Sequence, residues 1–158
     1  MKITSKGRVA VTSLVDMAIN CKNDEPIKLS DISKRQKISI DFLEQVFYLL
    51  KKKGIVKSSR GPLGGYMFAI SPDLIMIADV IDAINEDMKI TKCNGDFGCN
   101  SAHNKNSKCL THNLWNEFRK HILYFLESVS IEEVSINSIF EKKMNVLSGI
   151  DSKDQMNA

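Results

Sequence analysis

Leu29-Ser30-Asp31-Ile32-Ser33-Lys34-Arg35-Gln36-Lys37-Ile38-Ser39-Ile40-Asp41-Phe42-Leu43-Glu44-Gln45-Val46-Phe47-Tyr48-Leu49-Leu50 is the stretch that decides the fold. A short helix-forming segment through Gln36 breaks at Lys37-Ile38, and Ser39 is placed to cap a second helix. In that second helix Leu43, Val46, Phe47 and Leu50 recur at i, i+3, i+4 and i+7, a single apolar stripe that faces a core. Lys51, Lys52 and Lys53 complement the C-terminal end of its dipole, and Gly54 supplies the stop. Short helix, tight turn and longer helix together are the layout of a helix-turn-helix.

Downstream, residues 55–59 and 66–70 read as two strands around Arg60-Gly61-Pro62-Leu63-Gly64-Gly65. Glycines permit positive φ in a hairpin and the proline holds one φ near −65°. A two-stranded wing directly after a helix-turn-helix predicts a winged helix. Upstream, Ser5 is positioned to cap a first helix whose Val11, Leu14, Val15, Ala18 and Ile19 fall at helical spacing. Cys21, at the end of that pattern, reads as a small buried or half-buried hydrophobe.

Ile77, Val80, Ile81 and Ile84 mark a further helix. Leu114, Phe118, Ile122, Phe125 and Leu126 mark a long one, its stripe widened by Trp115 and Tyr124. This is more apolar surface than one small module needs, which predicts packing against a second subunit. Ser130-Ile131-Glu132-Glu133 has the pattern of a capping box for a short last helix. The expected class is mainly α with a small β wing: a winged helix-turn-helix with a long C-terminal dimerisation helix. The expected divisions are residues 1–88 for DNA binding, 89–111 for a metal-binding loop, 112–143 for dimerisation helices and 144–158 for a polar, disordered tail.

The net charge of +3 over 158 residues hides an asymmetry. Residues 1–66 carry 13 Lys/Arg against 6 Asp/Glu, a net of +7, and residues 67–158 carry 9 against 13, a net of −4. A basic half on a compact module favours a polyanion, because neutralising phosphates releases condensed counterions. No apolar run approaches the roughly 18 residues of a membrane span. With no secretory h-region at the start, cytoplasm is the expected location. A glycine phosphate loop, a nucleotide fingerprint and a catalytic Ser/His/Asp or paired-acid cluster are all missing from the sequence, which argues against an enzyme.

Cys93, Cys99 and Cys109 fall within one short polar stretch, residues 89–111, the last opening Cys109-Leu110-Thr111-His112. In a reducing compartment clustered cysteines point to metal before disulfide. Thiolates with an imidazole suit an iron–sulfur cluster or zinc far better than magnesium or calcium. His121 reads as a packing or surface residue and His103 as solvent-exposed, although His103 competes with His112 for the role of fourth ligand.

At the start of the second helix of a helix-turn-helix, side chains meet base edges in the major groove. Here these are Ser39, Ile40, Asp41, Phe42, Glu44 and Gln45. Gln45 suits adenine, Glu44 suits cytosine N4, and the carboxylate also repels misplaced phosphates. Arg60 suits a narrow minor groove, and Gly61 lets backbone approach a phosphate. Lys2, Lys6, Arg8, Lys34, Arg35 and Lys57 are candidates for backbone contacts.

Residues 29–45, the wing Ser59-Arg60-Gly61-Pro62-Leu63-Gly64-Gly65-Tyr66, and Cys109-Leu110-Thr111-His112 together resemble the Rrf-type family of bacterial winged helix-turn-helix regulators. Within that family they resemble its iron–sulfur cluster regulators. The likeness covers roughly residues 1–135.

The resemblance implies a homodimer that binds double-stranded DNA at palindromic promoter sites. It also implies a [2Fe-2S] cluster on Cys93, Cys99, Cys109 and His112, received from the cluster assembly machinery. The implied role is repression of cluster-biogenesis genes, with a second, cluster-independent set of sites. The gap from Cys99 to Cys109 is longer than the family's pattern. The alternatives are a nitric-oxide or iron-responsive member with a [4Fe-4S] cluster, against which the Cys-Leu-Thr-His ending argues, and a zinc-binding regulator. An imidazole in place of one thiolate makes a cluster less negative and raises its reduction potential. Because imidazole protonates near neutral pH, it also makes the ligation labile.

Overall fold

A computed structural model describes residues 4–21, 25–61, 64–85 and 110–136. Cys93, Cys99, Cys109, His103, Lys2, the Pro62-Leu63 pair and the C-terminal tail lie outside the described residues.

Helix α1 spans Ser5–Asn20. Its N-cap is Thr4, not Ser5: the Thr4 hydroxyl accepts the Gly7 N–H at 3.3 Å, and Ser5 is the first helical residue. Ala10, Leu14 and Met17 form its fully buried stripe. Ile19 does not join them and is 61% exposed, because two residues beyond Met17 the helix has turned about 200°. Cys21 is half-buried, with its Sγ 3.9 Å from the Glu25 carbonyl oxygen.

Helices α2 (Leu29–Gln36) and α3 (Ile40–Lys52) are joined by Lys37, whose left-handed backbone (φ 55) makes the turn. The Ser33 hydroxyl closes this turn by donating to the Ile38 carbonyl at 2.6 Å. All four stripe residues of α3 are fully buried, as their spacing predicts. Ser39 occupies the N-cap position, although its side chain makes no capping hydrogen bond. Gly54 follows the C-cap at φ +76, a conformation that any side chain would strain.

The wing is an antiparallel pair, β1 (Val56–Ser59) and β2 (Gly65–Phe68), in the register Val56↔Phe68 to Ser59↔Gly65. Both strands are one residue shorter than the expected 55–59 and 66–70: Ile55 is buried ahead of β1, and Ala69 and Ile70 follow β2. Ile27 adds a bridge to β2, exchanging backbone hydrogen bonds with Tyr66 at 2.9 and 2.8 Å. The close approach requires Gly65, since a Cβ there would collide with the Ile27 carbonyl. Tyr66 then meets Phe47 edge to face, with ring centroids 4.9 Å apart, and this contact ties the wing to α3.

A single 3-10 turn at Pro72–Leu74 leads into α4 (Ile77–Ala83). After the undescribed stretch come α5 (His112–Glu127) and α6 (Ile131–Ser135). The capping box is present: Ser130 and Glu133 exchange hydrogen bonds at 3.1 and 3.0 Å. Helix α6 packs on α1, and α5 on α4. Leu126, Val129 and Ile131 thereby enter the same core as the helix-turn-helix residues. No helix among the described residues is long and apolar enough to cross a membrane.

Candidate nucleic-acid interface

Burying Leu43, Val46, Phe47 and Leu50 turns the opposite face of α3 to solvent. Ser39, Asp41, Glu44 and Gln45 are exposed, Ile40 is 44% exposed, and Phe42 is half-buried. Tyr48 is 65% exposed. It sits four residues after Glu44 and seven after Asp41, so it shares their face. Reading residues 39–45 alone misses Tyr48; its place outside the buried stripe is the signal that finds it.

At the wing tip Arg60 and Gly61 are exposed, Gly61 with φ +114, and the Gly61 carbonyl accepts the Gly64 N–H at 2.8 Å. Lys51 near the end of α3 donates to the Ser58 hydroxyl of β1 at 2.7 Å, linking helix and wing directly. Arg8, Lys34 and Lys57 are exposed, and Lys6 is half-buried.

Arg35 is different. Its Nε and one Nη clamp the Asp16 carboxylate of α1, at 3.0 and 3.1 Å from Nε and 2.6 Å from Nη2. These hydrogen bonds, ahead of the opposing desolvation, hold the guanidinium pKa above its ordinary value.

Of the expected metal ligands the structure describes His112 alone, half-buried as the first residue of α5. Next to it the Thr111 hydroxyl accepts the Trp115 indole N–H at 3.1 Å, a contact that orders the first turn of α5. Among the described residues no three His, Cys, Asp or Glu side chains gather in a metal-binding group. His121 is exposed, its Nδ1 2.8 Å from the Glu117 carbonyl oxygen.

Residues 3–137 match the family Rrf2, described as iron-dependent transcriptional regulators. The chain belongs to the Rrf2 family. An HTH-type transcriptional regulator IscR from Aliivibrio salmonicida is 44% identical over 138 residues, covering 87% of this chain and 79% of that protein. Among solved structures, CymR (YrzC), the global cysteine regulator of B. subtilis, superposes with a TM-score of 0.72 at 26% identity, over 87% of this chain and 98% of that one. T. potens IscR superposes with a TM-score of 0.67 at 25% identity, over 100% and 93% of the two chains.

Membership in Rrf2 makes this chain a DNA-binding transcription regulator with a winged helix-turn-helix, not an enzyme. The solvent-facing side of α3 and the exposed wing tip of this Rrf2 protein are the candidate surfaces for duplex DNA. The major groove is wide enough to admit an α-helix with exposed polar side chains.

Proposed function

We propose that this Rrf2 regulator senses iron–sulfur cluster supply and represses cluster-biogenesis genes, with a second set of sites bound without the cluster. The observation that carries this reading is the donor set, three thiolates and an imidazole, with His112 opening a helix whose far end is part of the winged-helix core. Cys93, Cys99, Cys109 and His112 fit a [2Fe-2S] cluster by their softness, and His103 is the competing fourth ligand. When bound, the cluster supplies an occupancy that oxidation and ligand protonation can reverse. His112, as first residue of α5, links that occupancy to the orientation of the helix.

The protein acts as a homodimer in the cytoplasm and receives its cluster from the assembly machinery. In support of the dimer, Leu114, Trp115, Phe118 and Phe125 are 63%, 43%, 49% and 39% exposed along α5. Such a run of large apolar side chains marks an association surface. Palindromic sites follow, with half-sites about one helical turn apart. On each half-site Ser39, Ile40, Asp41, Phe42, Glu44 and Gln45 face base edges, and Arg60 with Gly61 enters the minor groove.

Anaerobic visible absorption and Mössbauer spectra of the wild type beside His112→Ala test the sensor. The expected wild type is coloured, with a two-iron signal, and His112→Ala is altered or labile. A four-iron signal points instead to the nitric-oxide or iron-responsive class. A colourless protein holding zinc points to a structural metal. Binding of Cys99→Ala at two classes of site tests the switch, and identical preferences for mutant and wild type would count against it.

A further inference from the structure

Asp16 is a buried carboxylate, 3% exposed, on a helix that supplies the core. Among the described residues, the side-chain hydrogen bonds to its carboxylate come from the last two residues of α2. Arg35 grips both oxygens, and the Gln36 amide donates to Oδ1 at 2.7 Å. Lys37, in its left-handed conformation, comes next, and three residues later α3 begins. The clamp therefore acts at the point where the chain turns into the helix that faces DNA. A buried ion pair is weak support for stability, because desolvation offsets most of its attraction. What it does provide is directional: three donors on one fixed carboxylate allow a single orientation.

The Arg35 side chain keeps 36% of its surface exposed. One edge of the planar fork is held by Asp16, and among the described residues its remaining N–H groups have no second acceptor. In a helix-turn-helix the first helix crosses the sugar–phosphate backbone, and here Arg35 lies near the C-terminal end of that helix, beside the exposed Lys34.

We propose that Asp16 is a positioning residue for DNA recognition, setting the pitch of α3 through Gln36 and Arg35 and aiming the free edge of Arg35 at a backbone phosphate. The proposal rests on the reading that α3 enters the major groove. Non-specific attraction needs only the charge of Arg35, whereas specific docking needs its direction.

The test uses the full chain and two duplexes: one selected by the wild type from a random pool, and one scrambled. Arg35→Lys keeps the charge and loses the fork. Specific affinity is expected to fall about tenfold or more, while scrambled-duplex affinity stays within about twofold and the salt slope is unchanged. The double variant Asp16→Leu/Arg35→Leu leaves no buried charge unpaired, so it remains folded even where Asp16→Asn does not. It is expected to lose specific binding and about one unit of salt slope. Both affinities are scaled to the active fraction from stoichiometric titration, which removes any effect of unfolding. Specific affinity within about twofold of wild type in either variant overturns the proposal. A wild type that selects no site overturns the groove reading and this proposal with it; selection by the wild type with indifferent variants overturns the positioning role alone.

Discussion

The Ile131 amide donates to the Ile75 carbonyl at 2.9 Å, and both side chains are buried in the core. One step along, the Ile77 amide donates to the Val129 carbonyl, also at 2.9 Å. The chain returning from α5 is thus stitched, strand-like, to the segment that leads from the wing into α4. Residues 126–134 are built into the DNA-binding module and are not an appendage to it.

Ile131→Ala should therefore weaken the whole winged helix. Removing a fully buried isoleucine side chain costs about 2–5 kcal/mol. Urea unfolding should show one transition at a lower midpoint with unchanged slope. Two separate transitions would mean that α6 and the helix-turn-helix are independent.

Gly65→Ala tests the third segment of the wing. The added Cβ must displace the Ile27 backbone, and with it the Tyr66 ring that packs on Phe47. A loss of about 1–3 kcal/mol is expected. Thermal melting reads it directly, and an unchanged Tm would show that β2 does not lie against Ile27.

Arg60→Ala, Gln45→Ala and Glu44→Ala should part company in DNA binding. Losing Arg60 weakens every site alike and lowers the salt slope by about one unit. Losing Gln45 costs about 1–3 kcal/mol at a single base pair. Losing Glu44 leaves the preferred site near its original affinity and improves poor ones, because a carboxylate that repels misplaced phosphates is gone. Competition titrations across single-base variants of one site separate the three, and parallel losses from all three would remove the division between positioning and reading.

Phe118→Asp should split the proposed dimer. Phe118 is half-exposed and meets Trp115 with ring centroids 6.5 Å apart, so the substitution alters a surface cluster and spares the core. A charge on each facing side of a two-fold interface opposes association by at least about 2 kcal/mol. Sedimentation should show monomers with an intact circular dichroism spectrum. A persisting dimer would place the interface elsewhere.

Much of this protein is legible in local spacing. The burial of Leu43, Val46, Phe47 and Leu50, the stop at Gly54 and the Ser130–Glu133 box involve residues a few positions apart. A helix repeats over that same distance, so these features follow from the order of side chains alone. Small errors stay local as well: Thr4 and Ser5 are neighbouring hydroxyl residues, and one step of helix phase decides which of them caps. The proposed donors Cys93, Cys99, Cys109 and His112 are likewise visible in the sequence as a chemical set.

The Asp16–Arg35 clamp, the Ile27–Tyr66 bridge and the seam between Ile75 and Ile131 were decided only by tertiary structure. The first joins residues nineteen apart, and the other two span longer separations still. No periodicity marks these partners, because each pairing exists only once separate helices and strands have packed and brought the groups within hydrogen-bond reach. Order along the chain specified the elements and the available chemistry. Packing specified which buried charge meets which cation, and so how the turn into α3 is held.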